Sequence, residues 1–177
     1  MAIIINQTDN ITDDITVINH NHHEIHEGNF FTVTDRVEAD TTTIQWQITT
    51  PAGTTYAHMF FSLACTGEAL YVLTEGSDMT DGTALNEVNR RRAGTPGVAS
   101  VVVTRTPTGG STVGETTLFT EHYGSTGVAS KTVEGGSTRG ENEWILKPGT
   151  KYVVSITSYV DNVYVTCKLD WYELSEA

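Results

Sequence analysis

Residues 20 to 28 read HNHHEIHEG and gather four of the chain's six histidines, His20, His22, His23 and His26, with two glutamates. Imidazole binds late first-row metals and changes charge near neutral pH, so the residue types suggest a metal centre, a pH-sensitive surface or a polar contact arm. A zinc-protease reading needs H-E-x-x-H on one helical face, with the glutamate directly after the first histidine. His22 and His26 have the spacing, but His23 stands where the glutamate belongs. The surrounding residues carry no helical apolar face. On a strand, His20, His22, Glu24 and His26 would line one side, with His23 on the other. The cluster therefore reads first as a polar interaction arm, and as a metal-ligand set only where copies of the chain meet and share it.

No other catalytic template takes its place. The sequence contains no G-x-S-x-G elbow, P-loop, C-x-x-C pair or dinucleotide fingerprint. His58, inside the apolar run AHMFF, reads as a core or interface residue. His122 can pair with Glu121, but no serine or cysteine nucleophile is marked beside it. The expectation is a protein that is not an enzyme and carries no cofactor. Arg90, Arg91 and Arg92 form the basic run of an acidic chain. They are either solvated and paired within the molecule or a contact to an acidic surface on a neighbour, where the guanidinium fork pairs bidentately with carboxylates. Cys65 and Cys167 each sit in an apolar run and are expected as buried thiols rather than a disulfide.

The elements that must position these groups follow from composition and pattern. A chain of 177 residues is one domain by default, and 38% hydrophobic against 18% charged residues, with about thirty threonines, favours strands over helices. A net charge of −12 repels a phosphate backbone and an anionic bilayer, so neither nucleic acid nor membrane is an expected partner. MAIIINQTDN lacks the basic start and long apolar run of a signal peptide, which points to synthesis in a cytosol-like compartment.

Residues 1–27 read as an extended N-terminal arm whose apolar content is AIII at 2–5 and ITVI at 15–18. An arm of that length reaches roughly 80 Å when extended. Residues 28–177 read as an antiparallel β-sandwich, jelly-roll-like, of about eight to ten strands. In TTIQWQITT (42–50), Ile44, Trp46 and Ile48 alternate with Gln45, Gln47 and Thr49, giving one buried and one wet face. Residues 57–65 and 69–76 read as one pair of strands. Residues 151–160 and 163–173 read as another, joined by a tight Asp161-Asn162 hairpin turn, with Val163, Val165, Cys167, Leu169 and Trp171 on one face. Two Gly/Ser/Thr-rich stretches, 106–114 and 124–140, read as surface loops.

Several stretches together resemble tailed-bacteriophage head decoration proteins, also called auxiliary capsid or cement proteins. They are residues 50–76 with their TPAG…AHM turn and strand, NEVNRRR at 86–92, HEIHEG before the domain, and WILKPGTKY paired with a terminal LDWYE within 141–173. The resemblance implies a non-enzymatic virion structural protein, made in the host cytoplasm, that assembles as a homotrimer on the outer surface of the capsid. There it would stabilise the head by bridging subunits of the major capsid protein. Contacts to capsid or to neighbouring copies would then fall on the arm, at Ile3, Ile4, Ile5, Ile15 and Val17, and on Arg90, Arg91 and Arg92. A second expectation, from a different class, is a glycan- or receptor-binding module of a phage head or tail fibre, with Trp46, Trp144 or exposed tyrosines stacking on sugar rings.

Overall fold

A computed structural model of the chain describes residues 2–8 and 15–19 as backbone strands and residues 20–80, 82–95, 97–107, 114–124 and 143–175 in full. The expected Gly-rich loops fall largely outside these described residues. In chain order the elements are β1 (Ala2–Thr8), β2 (Ile15–Asn19), α1 (His20–Glu27), β3 (Phe30–Ala39), β4 (Thr43–Thr49), β5 (Thr55–Cys65), β6 (Ala69–Glu75), β7 (Thr83–Ala84), β8 (Val88–Asn89), β9 (Val102–Arg105), β10 (Thr116–Tyr123), β11 (Glu143–Leu146), β12 (Lys151–Ser158) and β13 (Val163–Ser175). Strands make up 59% of the chain, so the all-β expectation holds. Two antiparallel sheets pack face to face, one ordered β11-β5-β13-β3-β8 and the other β10-β6-β12-β4-β9-β7. A separate two-stranded ladder joins β1 to β2.

The core lies between the sheets, where period-2 alternation aims one side of each strand inward. Val163, Val165, Cys167, Leu169 and Trp171 of β13 are all at most 2% exposed, and they meet Trp46, Ile48, Tyr71, Leu73, Val154 and Ile156 from the six-stranded sheet. Gln47, expected on the wet face of β4, is instead buried at 4% exposure, in register with Val153 of β12, which is also buried.

The predicted strands are present, but the predicted pairs are not. β12 bonds to β4 and β6, whereas β13 bonds to β3 and β5, so residues 151–160 and 163–173 belong to opposite sheets and form no hairpin. The same correction applies to β5 and β6, which face each other across the core. The physical reason is burial. Both strands of each pair carry an apolar face, and as neighbours in one sheet those faces would lie side by side, still needing a cover. Stacked across the core, they cover each other. The sheets are about 10 Å apart, more than a two-residue turn spans, and the link from Ser158 to Val163 supplies four residues, 159–162. Asn162 takes a left-handed conformation (φ 57) there, and its N–H donates to Asp40 Oδ1 (2.7 Å), pinning this corner to the one between β3 and β4. At the β5–β6 corner Gly67 is required by space, since a Cβ there would come within 2.5 Å of Val163 Cγ2.

A polar strut also ties the sheets together. Asp35 of β3 accepts the Trp46 indole N–H from β4 (2.8 Å) and the Arg105 guanidinium from β9 (3.2 and 3.3 Å).

Cys65 and Cys167 are both buried thiols and form no disulfide, as expected. The Cys65 thiol donates to the Gly67 carbonyl (2.8 Å), and burial pushes the Cys167 thiol well above the usual range. An aqueous disulfide reagent should therefore react with neither in the native protein and with both in guanidinium; rapid native labelling of Cys167 would contradict this placement.

Candidate functional site

The histidine stretch is a helix, not a strand. α1 spans eight residues and is nearly without apolar content; it is held by its termination and by one buried carboxylate. Gly28, at φ 84, closes it with a paired motif: the Gly28 N–H donates to Ile25 O (3.2 Å) and the Asn29 N–H to Glu24 O (3.0 Å). Glu24 is 3% exposed. Its Oε2 accepts from Asn29 Nδ2 (3.2 Å), while Oε1 lies 3.1 Å from His23 Nδ1 and 3.9 Å from His20 Nε2. Ile25 joins Phe30, Phe60, Tyr172 and Leu174 in a small apolar cluster on the outer face of the five-stranded sheet.

Tyr172 is the hub of that face. Phe30, Tyr172, His58 and Ile145 occupy one register row across β3, β13, β5 and β11. His58 stacks on the Tyr172 ring (4.6 Å between centroids), and His20 meets it edge-on (5.0 Å). The Tyr172 hydroxyl donates to Glu143 Oε1, which also lies 2.6 Å from His58 Nδ1. Burial, then the hydrogen bond to Glu143, pushes the phenol far above its ordinary range, so it stays protonated as a donor. His58 is thus neither a core residue nor a lone one: it sits in an outer-face network that links the sheet to the helix.

The helix divides the four histidines. His20 and His23 turn toward Glu24. His22 and His26, one turn apart, are exposed and bring their Nε2 atoms to 2.9 Å. Sequence reasoning missed the helix because it sought an apolar stripe; the usable signals were the Gly28 stop and the i,i+4 histidine spacing. His122 departs from expectation too. Adjacent strand residues point to opposite faces, so its partner is Glu68 (3.2 Å) rather than Glu121, which accepts from the Tyr123 hydroxyl.

Two groups far apart in sequence come together at the edge strand β8. The Asn89 side chain is buried and donates to Gly28 O (2.7 Å) and to Gly97 O (3.1 Å), tying the helix end to the arginine loop. Arg90 lies over the Phe30 ring (4.9 Å to the centroid), and Arg91 packs beside Gly28. Arg91 and Arg92 are exposed. The basic run and the histidine helix therefore form one surface. Of the arm residues, Ile3, Ile4 and Ile5 fall on β1 and Ile15 and Val17 on β2, with Ile4 in register with Val17. Trp46 and Trp171 are fully buried, and Trp144 is half-buried against Phe119, with ring centroids 6.0 Å apart.

Among the described residues no helix is long and apolar enough to cross a membrane, and no three His, Cys, Asp or Glu side chains converge as a metal site. Comparisons of the chain with protein-family models, with curated proteins and with solved structures find no match.

Proposed function

We propose that the chain is a virion structural protein of the tailed-bacteriophage decoration kind. In this reading it sits on the outer capsid surface as a homotrimer and stabilises the head by bridging major capsid subunits. The observation that carries the reading is the β1–β2 ladder, whose strands bond to each other and, among the described residues, join neither sheet of the sandwich. A two-stranded ladder is marginal in water on its own, and its outer edges have unpaired backbone groups that a neighbouring strand can extend. Residues as apolar as Ile3, Ile4, Ile5, Ile15 and Val17 in such an element suit a segment completed by another molecule.

The arginine loop beside the helix supports the same reading. On a chain of net charge −12 it is a local basic surface suited to an acidic neighbour. Each contact is modest, but a repeating lattice multiplies them. The motif resemblance supplies the capsid and the trimer.

The test is removal of residues 2–19. The shortened chain should keep its far-UV β-spectrum and thermal transition yet fail to bind purified heads, while the full chain binds and sediments as an oligomer at micromolar concentration. A full chain that stays monomeric, or a shortened chain that decorates heads equally well, would overturn the proposal.

A further inference from the structure

We propose that His22 and His26 form a two-point chelate for a tetragonal divalent cation, Cu²⁺ or Ni²⁺, on the exposed face of α1. The inference goes beyond the assembly reading and is independent of it, because both ligands belong to one chain.

The geometry is specific. With metal–imidazole bonds of about 2.0–2.1 Å, two donors 2.9 Å apart subtend close to a right angle at the ion. That is the cis angle of square-planar and octahedral sites; tetrahedral coordination would hold the nitrogens about 3.3 Å apart at the same bond length. Tetragonal nitrogen coordination suits Cu²⁺ and Ni²⁺, which also stand near the top of the divalent affinity order.

The pair is already held in place. At 3.6 residues per turn, Glu24 lies on the helix face opposite the mean direction of His22 and His26. The burial of Glu24 clamps that opposite side to the sandwich, and Ile25, on the helix flank, packs into the Tyr172 cluster. The closure at Gly28 then fixes the last turn, which carries His26. Binding therefore orders little that is not already ordered, unlike capture by a flexible histidine tract.

In the metal-free pair one ring's Nε2–H donates to the other's Nε2 lone pair. On binding, that ring's proton shifts to Nδ1, both Nε2 lone pairs face the ion, and neutral rings release no net proton. The other two histidines of the stretch do not compete, because both turn toward Glu24. Since no three such side chains converge among the described residues, the remaining positions go to water or to donors from another molecule.

The experiment titrates the full-length chain with CuSO₄ and, separately, NiCl₂ by calorimetry, and records the Cu²⁺ electron paramagnetic resonance spectrum. One ion per chain is expected, with a spectrum showing two equivalent nitrogen donors. His22→Ala and His26→Ala should each weaken binding by about tenfold or more and remove one nitrogen from the spectrum, while His122→Ala leaves both unchanged. Both substitutions are at exposed positions, and an unchanged thermal transition verifies the fold. Uptake by the double variant equal to that of the parent chain, or absence of uptake by the parent at micromolar ion, would overturn the proposal.

Discussion

Trp171→Ala should lower unfolding free energy by about 3–5 kcal/mol, a large share of the roughly 5–15 kcal/mol typical of a domain. Trp171 is fully buried on β13, the middle strand of its sheet, and stacks on Phe31 with ring centroids 5.7 Å apart. Its indole N–H donates to Glu173 Oε1 (3.0 Å), and the same carboxylate receives the backbone N–H groups of Ser100 and Val101. Alanine leaves a cavity in the core and removes one of the donors that hold the carboxylate fastening the loop before β9. Trp171→Phe keeps much of the volume while losing the donor and the second ring, so it should cost distinctly less. Guanidinium unfolding followed by circular dichroism reads both, and equal midpoints for Trp171→Ala and the parent would refute the assignment.

The second large effect falls on the strut between the sheets. Asp35→Ala should cost about 2–4 kcal/mol, because it deletes a charge-assisted hydrogen bond and strands the Trp46 N–H in an apolar core. The Arg105 half of the interaction should matter less. Arg105 is 36% exposed, and a partly solvated ion pair contributes at most about 1 kcal/mol. Asp35→Asn keeps an acceptor for the indole while discarding the charge, so it should recover most of the loss. A double-mutant cycle with Arg105→Met separates the two parts. A coupling energy as large as the whole Asp35→Ala effect would assign the strut to the ion pair instead.

Strand positions were legible from the sequence because alternation is local: the inward residues of β13 and most of β4 could be read off directly. Partners were not legible. The Asp161-Asn162 signal announces a reversal of the chain, but it is silent on whether the next strand lies beside the last or across the core from it. That choice is made by which apolar faces must cover one another. The candidate surface divides in the same way. Its ingredients stood out as a histidine cluster and an arginine run, yet their meeting depends on β3 pairing with β8 at Phe31 and Asn89. The helix escaped notice because its hold on the sandwich is largely polar, through Glu24, Asn29 and Asn89, and a search for amphipathic periodicity does not see such a hold.

Apart from β1 with β2, no ladder among the described residues joins strands consecutive in sequence. β12 and β13, the last strands in chain order, sit inside the two sheets rather than at their edges. During synthesis, β3 to β6 therefore emerge from the ribosome with their eventual partners still unmade and their apolar faces uncovered. Folding of this topology is governed by high contact order, which places it among the slow, millisecond-to-second folders. The sandwich closes only once β13 has been made, so the apolar faces of β3 to β6 stay uncovered until that strand takes its place between β5 and β3.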